Sequence, residues 1–269
     1  MTTDSVQRVG RPRFRGGAWW WRLATLGVTV GFLVIWELLP RLGIVSDIIL
    51  PPFSEVAAAL VELVIGPTFI GHLQVTMVEI LAGFAIGTAL GFVLGVVLAV
   101  SETFKRVTYP LVIAFQSIPK IVLAPLIITW FGYGLESKIA MAVVISFFPV
   151  LVNTMVGLES VPEPGIRLMR SLRASRRQRF WKLSLPHAAP LIAAGVKTGL
   201  TLAVVGAIVA EFVGASEGLG FLIHQYSFQL RIDRVFAVIV VMSVIGSGLY
   251  FLLDVIDRRL IFWKGSEIR

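Results

Sequence analysis

Six apolar runs, each long enough to cross a bilayer, decide what this chain of 269 residues can fold into. They lie at about 20 to 39, 70 to 100, 108 to 131, 137 to 157, 185 to 213 and 234 to 262. Some 20 apolar residues suffice for a transmembrane helix. Because hydrocarbon offers backbone amides and carbonyls no partner, an isolated run of that kind satisfies them internally, as a helix. The expected fold class is therefore all-α, a polytopic membrane protein with six transmembrane helices. Composition agrees, since 57% of residues are apolar and 15% charged, with mean hydropathy +0.87, whereas soluble domains carry about 25% charged residues. The first run follows Arg11, Arg13 and Arg15 but is too long for a signal peptide and lacks a small-residue cleavage site, so it reads as an uncleaved anchor.

A net charge of +8 would suggest nucleic acid in a soluble protein. Here the distribution of that charge explains it better. Eighteen of the 24 lysines and arginines fall on the N-terminal arm, the 101 to 107 loop, the 158 to 184 loop and the C-terminal end. Cations collect on the cytoplasmic side of membrane proteins. Both termini are thus expected in the cytoplasm, with a basic arm at 1 to 19, a membrane domain at 20 to 262 and a tail at 263 to 269. No nucleic-acid partner is expected, and membrane lipid is. Trp19, Trp20, Trp21, Trp130 and Trp263 fall near span ends, as an aromatic belt requires.

The chain has no Cys and only three scattered His, so neither thiolate nor imidazole metal sites are expected. No P-loop, H-E-x-x-H or G-x-S-x-G occurs. Catalytic residues and bound cofactors are therefore expected to be absent. Asp254 and Asp257 would pair with Arg258 or with headgroup cations.

Residues 50 to 67, LPPFSEVAAALVELVIGP, are too short and too acidic to cross. Pro51, Pro52 and Ser54 announce a helix start, and Val56, Leu60, Leu63 and Val64 recur at amphipathic spacing, which predicts an interfacial helix. Between Ala215 and Asp233, the Gly218-Leu219-Gly220 turn followed by FLIHQYSFQL predicts a short re-entrant or interfacial helix. In the second span Gly83, Gly87, Gly91 and Gly95 form one smooth face. Such a face serves close helix packing, although glycine is common in membrane helices generally.

The third span holds Gln116, Ser117, Pro119 and Lys120, then Pro125. Two prolines remove amide donors and should bend or interrupt the helix, which is tolerated where backbone is buried or lines a cavity. These four residues are candidates for a pathway wall. Lys120 either faces that pathway or snorkels to the headgroups. Glu211, with the turn from Gly214 to Gly220, is a candidate for the outer gate of the pathway. An alternative class, an ion-coupled secondary carrier, would use Glu79, Lys197 or Glu211.

Gly165 to Pro186 is the most basic segment, with Arg167, Arg170, Arg173, Arg176, Arg177, Arg179 and Lys182 and no acid among them. Cations every third residue would wander around one unbroken helix, so two short helices with a break are expected. Ser175 and Gln178 have the form of a capping box, placing the break at Arg173 to Ser175. A new apolar helix is expected to begin at Leu185-Pro186.

From about Leu50 to Arg259 the chain resembles the permease subunits of binding-protein-dependent ABC importers, and is similar to the branch serving sulfonates, taurine and nitrate. The segments that carry this are LPPFSEV, VEILAGFAIGTALGFVLG, QSIPKIVLAPLIITWFGYGLESKI, FFPVLVNTMVGLESV, RSLRASRRQRFWKLSLPHAAP and IVAEFVGASEGLGFLI. The resemblance implies a type I importer permease in a bacterial inner membrane. Its expected partners are a second permease copy, two ATP-binding cassette subunits that hold ATP and Mg, and an extracytoplasmic substrate-binding protein. It further implies that the 158 to 184 loop is the EAA loop, whose coupling helices sit in a cleft of the ATPase. The coupling residues are then Arg167, Leu168, Met169, Arg170, Ser171, Leu172, Arg173, Ala174, Ser175, Arg176, Arg179, Leu185 and Pro186. Arg167, Leu168, Met169 and Arg173 stand where that loop usually has Glu, Ala, Ala and Gly. Arg173 must therefore take a less strained turn than glycine would, or bear about 1 kcal/mol for a left-handed one.

Overall fold

The computed structural model describes residues 18–261. The basic arm and the tail, with Trp263, lie outside the described residues apart from the arm's last two positions. The described residues form eleven α-helices and no strand.

Three long helices make the core. These are α3 (Phe69–Val100), α6 (Leu135–Glu159) and α9 (Leu185–Gly214). Helices α3 and α9 pack against α6 through ridges of glycine and also touch each other. On α3 all four glycines of the expected face are buried. A Cβ on Gly83 would fall 2.3 Å from Ala142 Cβ, and one on Gly91 would fall 2.6 Å from the Phe147 carbonyl oxygen. Gly87 and Gly95 meet Ser146 and Thr154 of α6 as closely. A second ridge, not anticipated from the sequence, lies on α9, where Gly195, Gly199 and Gly206 face Pro149, Ser146 and Ala142. Lipid tails are as apolar as the side chains, so close backbone packing of this sort is what holds membrane helices together.

Around this core, α2 (Phe53–Ile65) buries Val56 and Leu63, while Val64, expected to face inward with them, is exposed. It starts after Pro51-Pro52, and Glu37 accepts the Ser54 amide at 2.9 Å. Glu37 lies on α1 (Ala18–Arg41). That helix leaves most of its side chains exposed, and Trp36 ties it to α2 through the Pro51 carbonyl at 3.0 Å. The short re-entrant or interfacial helix expected from the Gly218-Leu219-Gly220 turn onward is α10 (Leu219–Phe228), and α11 (Ile232–Leu260) closes the bundle.

Two expected boundaries need correction. The third span is interrupted, as its prolines led one to expect, but it begins at Glu102 rather than at about 108. Helix α4 (Glu102–Ser117) begins at once after Ser101, so the expected 101 to 107 loop is helical, and Pro110 sits inside it. A proline disfavours helical geometry in the residue before it. Ile118 is accordingly extended (φ −70, ψ 129) and ends α4. After a 3-10 turn at Lys120–Leu123, α5 (Ala124–Phe131) departs at 87°. Pro125 falls in its first turn, where a missing N–H costs nothing.

The second correction concerns the basic segment. Helix α7 (Glu163–Ser171) and the single turn α8 (Arg176–Arg179) are separate, and α9 begins at Leu185 as expected, but without a break before it. The chain runs helically from Arg176 to Gly214, passing through a widened π-type stretch at Phe180–Ser184 where the Leu185 amide reaches the Phe180 carbonyl. Pro186 has no N–H for the Lys182 carbonyl, so the ordinary i to i+4 ladder cannot continue there.

Candidate functional site

The break between α7 and α8 is built by two caps. Helix α7 ends in a Schellman arrangement, in which the Arg173 amide bonds the Arg170 carbonyl and the Ala174 amide bonds the Met169 carbonyl, both at 2.9 Å. Arg173 occupies the left-handed position (φ 53), so it bears the strain rather than avoiding it. Helix α8 then starts with the reciprocal capping box, Ser175 Oγ accepting the Gln178 amide at 3.2 Å and Gln178 Oε1 accepting the Ser175 amide at 2.8 Å.

This hairpin turns its small side inward. Ile166 and Met169 are half-buried, and Gly165 lies against Leu183. Arg167, Arg170, Arg173, Arg176, Arg177 and Lys182 are exposed, and Arg179 is half-buried. Among the described residues only Arg167 of these seven has a carboxylate partner, Glu163 at 3.4 Å. Leu168, Leu172 and Trp181 are 58 to 68% exposed beside them. Exposed apolar side chains next to unpaired cations are a composition found at protein- or membrane-interaction surfaces. Leu185 and Pro186 belong instead to the first turn of α9 and are half-buried.

At the broken span, Gln116, Ser117 and Pro119 are exposed. Ser117 Oγ donates to the Ile113 carbonyl at 3.0 Å. Half-buried Lys120 donates to the Gln116 carbonyl at 3.1 Å, with its ammonium 4.9 Å from the centre of the Phe148 ring. No ion pair among the described residues includes it.

Glu211, expected with the Gly214 to Gly220 turn near an outer gate, does meet that turn through Gly220, but it is 1% exposed, and its other hydrogen-bond partner is on α3. Thr76 Oγ1 donates to it at 2.6 Å, and so does the Gly220 amide. A carboxylate inside the bundle is held only if its oxygens are satisfied, which is what these donors do.

Two polar clusters were missed in whole or in part. Lys197 of α9 is paired with Asp254 at 2.7 Å and Asp257 at 2.6 Å of α11, and Arg258 takes Asp254 as well, at 2.8 Å. The Arg258 pairing was anticipated. The Lys197 pairings were not, although two acids three apart facing a lone intramembrane lysine were a readable signal. His72, Thr76 and Glu79 likewise stand at i, i+4 and i+7 on α3, one face of a helix.

Comparison with known proteins decides the family. Residues 87–262 match the model of the binding-protein-dependent transport system inner membrane component. The chain belongs to that family. The permease is 34% identical over 235 residues to the formylaminopyrimidine transport permease protein ThiX of Halalkalibacterium halodurans, covering 87% of this chain and 93% of that one. It is 30% identical over 259 residues to the taurine transport system permease protein TauC of Escherichia coli, covering 92% and 94%. A chain of the inward-facing MetNI methionine ABC transporter superposes with a TM-score of 0.61 at 23% identity, covering 73% of the permease and 97% of that chain. The fold is thus that of an ABC importer permease, a membrane transport subunit.

Proposed function

We propose that two copies of this permease enclose a pathway for a small anionic solute, driven by two ATP-binding cassette subunits and supplied by a substrate-binding protein. The observation that carries the coupling half of this reading is the hairpin of α7 and α8, whose second helix runs without interruption into the core helix α9. A partner seated on Arg167 to Arg179 would therefore act directly on a span. Charge bias supports a cytoplasmic position for this hairpin and for both termini. The gate at Gly214 to Gly220 then lies on the outer side. ATP and Mg would be held by the cassette subunits, and the permease itself contributes no catalysis.

A second copy is supported by an unpartnered stripe on α9, where Leu191, Ala194, Thr198, Thr201 and Val205 are all exposed. Closure of the cassettes would move the hairpins and rock the two halves between inward-open and outward-open states. The anionic class rests on Lys120, which carries a charge at membrane depth without a carboxylate, beside the bend at Gln116, Ser117 and Pro119. Two copies would line a pathway with two such cations. Names of relatives extend from taurine to formylaminopyrimidine, so the binding protein would set the choice within the class.

The test is uptake by proteoliposomes holding the permease, its cassette subunit and its binding protein. Uptake should require ATP, and an ion gradient alone should not replace it. Lys120→Met should raise the concentration of anion needed for half-maximal uptake. Unchanged uptake and affinity in that variant would remove the anionic reading while leaving the ATP requirement intact.

A further inference from the structure

At the end of the bundle away from the basic hairpin, α3, α9 and α10 meet around two carboxyl groups. Three successive amides at the start of α10 are each held by a side chain from a long helix. Gly218 donates to His72 Nδ1 at 3.0 Å, Leu219 to Thr76 Oγ1 at 2.8 Å, and Gly220 to Glu211 Oε2. The Thr76 hydroxyl in turn donates a hydrogen bond to Glu211 Oε1. Glu79 lies one turn further along α3, 1% exposed, with its carboxyl within hydrogen-bond reach of that of Glu211. Its Oε2 is buried and has no donor among the described residues.

Ionised carboxylates only accept hydrogen bonds. Two of them in contact would repel, and burial makes that repulsion stronger. The one cation nearby is Lys138, 2% exposed, which donates to the backbone carbonyls of Tyr133 and of Gly214 (2.6 Å for the latter) and makes no ion pair among the described residues. Two anions against one lysine leave the interior one charge out of balance. A single proton on the carboxyl pair corrects the balance and supplies the missing donor at once.

We propose that Glu79 and Glu211 form a one-proton binding site, with the proton on Glu79 donated to the Glu211 carboxylate. Glu211 keeps the charge because the start of α10 directs its amide dipoles at it. The proton enters through a cavity of about 320 Å³ lined by Val75, Glu79, Tyr133, Lys138, Ser216 and Glu217. Its electrostatics are set by Lys138, by Glu217, and by Glu136 at the start of α6. The proton is a latch. While it is present α3 and α9 are joined and the α10 turn is clamped, and when it leaves, adjacent carboxylates force the clamp apart. His72 titrates a different bond, since its Nδ1 must be unprotonated to accept the Gly218 amide, so acid loosens the turn through His72 and alkali through Glu79.

The test is infrared spectroscopy of the full chain in lipid nanodiscs with carboxyl-labelled glutamate, together with melting curves against pH. Wild-type protein near neutral pH should show the carbonyl stretch of a protonated glutamate, shifted by the label and absent from Glu79→Gln. The side-chain amide introduced in that variant can donate to Glu211 in place of the proton, so its melting temperature should stay flat across the alkaline range in which the wild-type value falls. Absence of the band from wild-type protein, or its survival in Glu79→Gln, overturns the proposal. Should Glu79→Gln not fold, Glu211→Gln decides, because removing the acceptor must move the wild-type band, and an unmoved band is equally fatal.

Discussion

Replacing Gly83 by alanine sets two known effects against each other. Alanine favours a helix over glycine by about 1 kcal/mol. The new methyl, however, would lie 2.3 Å from Ala142 Cβ and 3.1 Å from the Ile139 carbonyl oxygen. Non-bonded carbons rest at about 3.5 to 4.0 Å, so α3 and α6 must part by about 1 Å along a contact several turns long. Overpacking of this kind costs about 1 to 3 kcal/mol. The expected net loss is then about 1 kcal/mol, within a range of about 0 to 2, the clash outweighing the propensity. Gly246→Ala on α11, where nothing lies within 4 Å, is the matching control and should be neutral or slightly stabilising. The cycle is completed by Ala142→Gly, which removes the obstructing atom. Alone it should cost about 1 kcal/mol through helix propensity. Combined with Gly83→Ala, it should recover about 1 kcal/mol relative to the sum of the two. Equilibrium unfolding in mixed micelles, followed by circular dichroism, measures all four proteins. If Gly83→Ala were as stable as Gly246→Ala, or if the double variant were strictly additive, the glycine ridge would not be the contact that joins these helices.

Lys197→Met should destabilise the same unfolding transition by about 3 kcal/mol, the low end for breaking a buried pair, because Asp257 is left without a cation while Asp254 keeps Arg258. Adding Asp257→Asn should restore part of that loss. Arg173→Gly should stabilise the permease by about 1 kcal/mol by removing a left-handed non-glycine residue, read as a raised melting temperature, and no rise would mean that the turn relaxes when freed.

Much of this architecture was legible because the bilayer imposes one rule per segment. The long apolar runs became helices, Pro51-Pro52 and Ser54 began α2, and Ser175 with Gln178 formed the box their spacing announced. Proline reasoning foresaw an interruption of the third span at Pro119 and Pro125 but could not give its angle, since a missing amide says where a helix weakens and not where its continuation packs. It placed the start of α9 at Leu185-Pro186 but did not foresee that the chain arrives there already helical. There the ladder widens by one residue and the helix carries on, a compensation available to a segment whose neighbours already hold it. Glu211 shows a different limit. Hydropathy gives depth along the bilayer normal, whereas burial depends on which faces meet. The contact with Thr76 and Gly220 joins residues 135 and 9 positions away in sequence. The ridge of Gly195, Gly199 and Gly206 was missed for a simpler reason, because its spacing of four and then seven is less conspicuous than four equal steps.

The unbroken helical run from Arg176 to Gly214 has a mechanical side. Its 39 residues make a strut of about 58 Å at 1.5 Å per residue. Pivoted at one end, such a strut displaces its far end by about 1 Å for each degree of tilt. It carries the cationic hairpin at its base, the Lys197 pairing to α11 partway along and Glu211 near its tip. The five widened residues at Phe180–Ser184 are its softest joint, close to the base. Small angular errors introduced there would be magnified along everything beyond, so on the proposed coupling role the stiffness of that one stretch would set how faithfully a push at Arg176 reaches the far end.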